Sequence, residues 1–199
     1  MKHASFEYLV DALKSLPGVG NKQADKIAHF LISKDDEYIE EFINRIRKAK
    51  QNVHFCSQCN NYSSDDLCEI CSNPSRSHEK LCIVSSQEDL KKIEDTNSFD
   101  GIYFVIDGEI KVKSRTKLSS ETVSKFINLL HENNFVEIIL ATNWTIDGEA
   151  TASFIKGIVR EISPKTRIYR LALGLPINSA LDYADSTTLK HAIKNKTDY

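Results

Sequence analysis

Cys56-Ser57-Gln58-Cys59 and Cys68-Glu69-Ile70-Cys71 are two C-x2-C pairs separated by eight residues. Each pair can bring two thiolates to one tight turn. Two facing turns supply the tetrahedral S4 set that zinc prefers. Ser57, Gln58, Asn60, Asn61 and the run Ser63-Ser64-Asp65-Asp66 are the polar, turn-forming residues that such knuckles need. Sulfur in all four places leaves no position for water, so the site reads as one structural Zn2+ rather than a catalytic one. Two disulfides or an iron–sulfur cluster are the alternatives, and disulfides need an oxidising compartment. This module divides the chain. Helical periodicity precedes it, and strands alternating with helices follow it.

Upstream, Phe6, Leu9, Val10 and Leu13 fall at helical spacing, as do Ala24, Ile27, Ala28 and Leu31. Between them Leu16-Pro17-Gly18-Val19-Gly20 is too rich in Pro and Gly to stay helical. The pattern is helix-hairpin-helix. Gly18 and Gly20 let backbone approach a phosphate closely, and N–H groups at the start of the second helix can hold an anion. Lys22 and Lys26, four residues apart, project from one face beside that turn. Such contacts position DNA without reading its sequence. A plain helical hairpin with solvated lysines is the alternative. A third helix from about Asp36 to Lys50 is expected to turn Ile39, Phe42, Ile43 and Ile46 inward. His29 and His54 read as structural or surface groups.

Downstream, Leu81–Val84, Ile102–Ile106, Val136–Ala141 and Arg167–Ala172 read as strands. Helices are expected over Glu88–Ile93, Ser120–His131 and Gly148–Ile162, with Ser119 or Ser120 as a cap. The nearly continuous apolar run of Val136–Ala141 suits a parallel sheet covered on both faces. The series implies a small α/β domain. A last short helix falls near 186–194. Asp147 and Glu149 sit where a helix begins after a strand. Ligands of open α/β sheets bind at that end, where carboxylates can cap a helix or hold Mg2+. The stretch Ile110–Leu118 carries four cations within seven residues, which fits either a second DNA contact or a solvated hairpin.

Composition bounds the rest. The 199 residues are 41% hydrophobic, enough for a folded core, and the net charge of −2 gives no global basic signal. Any nucleic-acid binding must therefore use local patches or an assembly. Met1-Lys2-His3-Ala4-Ser5 lacks the apolar run of a signal peptide. No stretch approaches the roughly 18–20 apolar residues of a membrane span. The fifth cysteine, Cys82, is expected to be a buried free thiol, and an odd thiol beside a four-cysteine set suits a reducing cytosol.

Four elements now stand in series. They are the Leu-Pro-Gly-Val-Gly hairpin, the four-cysteine finger, a strand–helix stretch with Ala141-Thr142-Asn143 and Asp147-Gly148-Glu149-Ala150-Thr151-Ala152, and Gly174-Leu175-Pro176 followed by Leu181-Asp182-Tyr183-Ala184-Asp185. In this order they resemble the bacterial recombination mediator family RecR over about residues 6–196. The resemblance implies a helix-hairpin-helix region over 1–52, a C4 zinc finger over 53–75, a Toprim domain over 76–173 and a C-terminal segment over 174–199 that packs on the Toprim domain and helps close a ring. It implies a cytoplasmic, nucleoid-associated protein that is not an enzyme. Such a protein forms a dimer-to-tetramer ring and acts with RecO, and in many bacteria RecF, to load RecA on single-stranded or gapped DNA. By position, Lys22 and Lys26 match the family's DNA-binding hairpin, Cys56, Cys59, Cys68 and Cys71 its zinc ligands, and Asp147 and Glu149 an acidic pair implicated in RecO contact.

Three departures stand out. Ser85-Ser86 replaces an acid after the first Toprim strand, Asn178-Ser179 replaces Gly-Gly, and the basic 110–118 stretch replaces a longer loop. A catalytic Toprim enzyme, the alternative reading, needs a glutamate at the position of Ser85 and acids at those of Asn143 and Thr145, and only Asp147 and Glu149 remain.

Overall fold

The computed structural model describes residues 3–196. They form two compact units, one ending at Val53 and the other starting at His54.

The first unit is helical, with α1 (Ala4–Lys14), α2 (Asn21–Ile32) and α3 (Asp36–Asn52). Its small core joins Val10 to Ala24 and Ala28, with Phe6, Leu9, Leu13 and Val19 packed around them. The two alanines let α1 and α2 approach closely. Asp35 caps α3 by accepting the Tyr38 N–H at 2.9 Å. The inward face expected of α3 is only partly covered among the described residues, with Ile39 and Ile43 half-buried. No α3 residue is buried, and Phe42 and Ile46 are 44% and 56% exposed. Apolar periodicity reports a face that avoids water; it does not say which molecule covers it.

The second unit opens with the cysteine module, in which β1 (His54–Phe55) pairs antiparallel with β2 (Tyr62–Ser63). The four-stranded sheet follows. It contains β3 (Ser77–Val84), β4 (Gly101–Val105), β5 (Glu137–Ala141) and β6 (Arg167–Arg170), all parallel in the order β4-β3-β5-β6. Strand β3 starts four residues earlier than its apolar run, because its polar half also pairs, Ser77 with Gly101 of β4 and Lys80 with Glu137 of β5, with a register shift between Ser77 and Leu81.

The helices α4 (Gln87–Glu94), α5 (Ser120–Glu132) and α6 (Ile146–Ile162) are the crossovers. Alternate strand residues go to opposite faces. On one face Leu81, Ile83, Ile102, Phe104, Ile138 and Leu140 pack against Phe126 of α5 and Ile155 and Val159 of α6. On the other, Cys82, Val84, Tyr103 and Val105 meet Leu90 of α4, and Ile70 of the cysteine module packs against them. Both faces are covered, as the apolar strands required. Cys82 is buried, and burial pushes its thiol up to about 12.

The chain moves from β3 to β4 in one direction, then crosses to β5 on the other side of β3. The crevice beyond the carboxyl ends of β3 and β5 is therefore the point where strand order reverses, the usual ligand position in open α/β sheets. After β6 come a 3-10 turn at Leu181–Tyr183 and α7 (Ser186–Lys194).

Candidate functional site

The turn before α2 takes its shape from its sequence. Val19 N–H donates to Leu16 O at 3.2 Å, and Gly18 lies between them at φ +78°. Pro17 ahead of a positive-φ glycine is the signature of a type II turn. Gly20 is the N-cap of α2, and its carbonyl accepts from Gln23 and Ala24. Being glycine, it supplies no side chain to cap the first-turn N–H groups. A Cβ on Gly18 or Gly20 would meet nothing within 4 Å, so the missing side chains leave the approach from outside clear. Lys22 and Lys26 are exposed on α2 and form no ion pair among the described residues. The structure thus brings Gly18, Gly20, Lys22 and Lys26 into one short stretch with free cations and open backbone. His29 packs against Phe6, with ring centroids 4.6 Å apart.

The four cysteine sulfurs lie within 4.8 Å of one another and are buried. Around zinc at about 2.3 Å from each sulfur, a tetrahedron has edges of roughly 3.8 Å. The Cys59 and Cys68 sulfurs are 3.5 Å apart. Two backbone N–H groups point at sulfur, Asn61 at Cys59 (3.4 Å) and Cys68 at Cys56 (3.3 Å). Such bonds stabilise thiolate charge. Hydrogen bonds from Cys59, Cys68 and Cys71 hold the Cys56 thiol well below the usual range, while Cys56, Cys59 and Cys68 push Cys71 far above it. Four such sulfurs cannot all ionise unaided. A divalent cation removes the conflict, and the donor set fits zinc.

Asn60 ties this centre to the sheet. It adopts φ +62°, a conformation that asparagine tolerates. Its Nδ2 donates to Val105 O at 3.1 Å, and its Oδ1 accepts from Lys125 Nζ at 2.7 Å. Lys125, on α5, also donates to Cys56 O at 2.9 Å. Gln87 Nε2 reaches Asn60 O, and Val105 N–H reaches Cys59 O. The His54 ring lies 2.9 Å from Asp65 O.

At the sheet end, Ser85 is buried after β3 and Asn143 follows β5. Glu109, from the loop after β4, joins them. Its Oε1 accepts from Ser85 Oγ at 2.8 Å, Asn143 N–H at 3.1 Å and Asn143 Nδ2 at 3.0 Å. Asp147 does not meet Glu109. It accepts the Val112 N–H at 2.9 Å and pairs with Lys111 Nζ at 3.4 Å. The Val112 bond, followed by Lys111 and Lys113, holds its carboxyl below the usual range. Glu149 pairs with Arg170 of β6. Arg170 also donates to Leu140 O and to Thr142 and lies over the Trp144 ring, 4.3 Å from its centroid. Thr145 caps α6 by accepting the Gly148 N–H. The three carboxylates are thus each engaged by a different partner, and among the described residues the four cysteines alone converge as a metal set.

Sequence patterns do not single out Glu109, Asn60, Lys125 or Arg170. Asn60, directly after a knuckle cysteine, carries a turn signal. Glu109 is an acid just beyond the end of β4. Nothing in the sequence marks Lys125 or Arg170.

Comparison with known proteins gives a consistent result. Family models match four stretches: the RecR helix-hairpin-helix at residues 6–50, the RecR four-cysteine zinc finger domain at 53–73, the Toprim domain at 79–172 and the RecR C-terminal region at 174–197. A "Recombination protein RecR" from Ureaplasma urealyticum serovar 10 is 44% identical over 195 residues, covering 98% of this chain and 96% of its own length. The protein of that name from Mycoplasmopsis pulmonis is 38% identical, covering 98% of this chain and all of its own. That from Bifidobacterium adolescentis is 35% identical, with 96% and 95% covered. The hairpin, the closed four-sulfur centre, the parallel sheet and the similarity along nearly the whole chain agree, and the chain belongs to the RecR family of recombination proteins.

Proposed function

We propose that this protein is a DNA-binding mediator of recombinational repair that works as a ring-like oligomer and carries out no phosphoryl chemistry itself. The observation that carries the reading is the hairpin. Lys22 and Lys26 stand free beside glycine backbone that a phosphate can approach. Its contacts would be to phosphate, sequence-independent and salt-sensitive. One subunit offers few cations there, so affinity rests on several hairpins acting together in a closed assembly.

Uncovered apolar residues support assembly. On α3 they are Phe42 and Ile46. In the C-terminal segment Ile177 and Tyr183 are 93% and 90% exposed, and Leu181 and Ile193 are also bare. Groups of this kind need a partner surface. The sheet end supports the absence of catalysis. Metal-dependent phosphoryl transfer requires carboxylates that converge on Mg2+, whereas Glu109, Asp147 and Glu149 are each bonded to separate partners. Glu149 keeps half its side chain in solvent. With Asp147 it remains the face offered to a basic partner. RecO fills that role in this reading, and the joint task is delivery of RecA to gapped DNA, with RecF where the cell has it.

Three experiments test this. Lys22→Ala with Lys26→Ala is expected to abolish DNA binding while leaving the oligomer intact; unchanged DNA affinity would remove the hairpin from the mechanism. Zinc-loaded protein with labelled gapped DNA, Mg2+ and its cognate RecO should give a retarded complex with intact strands on denaturing gels. Nicked, joined or extended strands would overturn the non-catalytic assignment. Glu149→Lys should weaken RecO binding, and an unaltered dissociation constant would rule out that contact.

A further inference from the structure

We infer that the hairpin spanning Lys111 to Lys117 is a second DNA-backbone contact, separate from the glycine turn before α2. The inference rests on the DNA-binding reading above and extends it to a different part of the chain.

The hairpin is a built structure. Lys111 and Thr116 form an isolated antiparallel bridge, with both backbone hydrogen bonds made (3.0 and 3.1 Å). One leg is pinned at three points. Ile110 N–H donates to Thr151 Oγ1 at 2.9 Å, Val112 N–H donates to Asp147 Oδ1 at 2.9 Å, and the Lys111 ammonium pairs with Asp147. At the other end Leu118 packs on the sheet core. The tip is closed by Arg115 at φ +56°. That backbone region favours glycine or asparagine, and arginine occupies it here. Ser114 and Thr116 hydroxyls meet across the tip at 2.9 Å.

What the anchoring displays is charge of one sign. Residues 110–118 contain four cations and no acid, and residues 111–117 are all exposed. Asp147 engages Lys111. Lys113, Arg115 and Lys117 form no ion pair among the described residues. Three unpaired cations on a pinned seven-residue hairpin repel one another. A polyanion relieves that repulsion and gains by releasing its condensed counterions. Arginine presents a planar fork to phosphate, lysine a point charge, and hydroxyls are further phosphate donors. DNA is the polyanion that the reading proposed above assigns to the helix-hairpin-helix region of this chain.

The test uses the zinc-loaded protein and fluorescence anisotropy with a labelled duplex of about 40 base pairs, several helical turns, and the matching single strand over a salt series. Four proteins are compared: wild type, Lys22→Ala/Lys26→Ala, Lys113→Gln/Arg115→Gln/Lys117→Gln, and Lys113→Arg/Lys117→Arg. Lys111 is left in place because it anchors the hairpin. The glutamine triple should bind duplex about tenfold or more weakly, and its slope of log K against log salt should fall by about 2–3, near 0.9 for each phosphate no longer neutralised. The charge-preserving double should bind like wild type. Light scattering should show the same oligomer for all four proteins. An unchanged affinity and slope in the glutamine triple overturns the inference while leaving the glycine-turn reading standing. A fall in binding that tracks a smaller oligomer also overturns it. A wild type that binds neither DNA overturns both readings. A weaker glutamine triple with an unaffected Lys22→Ala/Lys26→Ala supports this site and removes the other.

Discussion

Replacing Asn60 by glycine should loosen the zinc module from the sheet without touching a metal ligand. Asn60 sits at φ +62°, where glycine fits without strain, so the substitution deletes only the side chain. Two hydrogen bonds go with it, one donated to Val105 O and one accepted from Lys125 Nζ. A neutral bond is worth about 0.5–1.5 kcal/mol and a charged one about 1.5–3 kcal/mol. Lys125 keeps Cys56 O, so its ammonium is not orphaned and the larger penalty of a buried unpaired charge does not arise. The expected loss is about 2–4 kcal/mol, or roughly 5–15 °C in Tm for a unit of this size. Asn60→Ala should cost about 1–2 kcal/mol more, because alanine must also adopt the left-handed conformation. Lys125→Met removes both ammonium bonds. Combined with Asn60→Gly it should cost less than the two separately, since one bond is shared. Thermal unfolding of the zinc-loaded protein and the rate of zinc transfer to a chromogenic chelator are the assays. If Asn60→Gly melts within about 1 °C of wild type and releases zinc at the same rate, Asn60 does not hold the module to the sheet.

Four further outcomes are expected. Gly148→Ala should lower Tm sharply, since its Cβ would lie 2.0 Å from Asn143 O, a backbone atom that cannot swing away; overpacking of this kind costs about 1–3 kcal/mol or more, and a Tm equal to wild type would show that the α6 start shifts freely. Asp147→Ala should speed trypsin cleavage at Lys113, Arg115 and Lys117 by freeing the Val112 N–H anchor, and an unchanged digestion rate would mean the bridge, the Ile110–Thr151 bond and Leu118 suffice to hold the hairpin. Because the Asp147 carboxyl is depressed in the folded state, its stabilisation is present above the unfolded aspartate value of about 3.9 and is lost as pH falls through the lower folded value. The Val112 amide resonance should accordingly titrate below the usual aspartate range in wild type and not in Asp147→Asn. Ser85→Glu should destabilise the sheet end by setting a second carboxylate against Glu109, and a stable variant that binds Mg2+ there would show the site to be convertible.

What is legible in the sequence and what is not follow from range. The zinc ligands, the glycine turn and the amphipathic helices α5 and α6 are written in neighbouring residues, so spacing alone locates them. Cys82 is legible as buried because it lies in an apolar run destined for a two-sided sheet. The partners of the acids are not legible. Glu109 and Asn143 are thirty-four positions apart, and Glu149 and Arg170 twenty-one. The first pair meets because the chain ends of β4 and β5 flank β3, and the second because β6 lies beside β5. No local pattern encodes that strand order. Helix α3 departs from expectation in the opposite way. Its periodicity is real, but among the described residues it leaves Phe42 and Ile46 exposed while Ile39 and Ile43 are half-buried.

The same distinction bears on how a chain of net charge −2 would meet the polyanion proposed above. The carboxylates at the sheet end are engaged. Glu109 takes hydrogen bonds from Ser85 and Asn143, Asp147 takes Lys111 and Glu149 takes Arg170. A carboxylate satisfied this way projects less field than its formal charge suggests, because a donor or cation lies within a few ångströms. Lys22, Lys26, Lys113, Arg115 and Lys117 have no such neighbour among the ion pairs of the described residues. The net count treats both classes alike. A phosphate approaching the surface does not, since pairing rather than total charge determines which potentials survive at close range. Replacing one engaged acid would therefore leave the cation or donor that it holds unpaired at the surface.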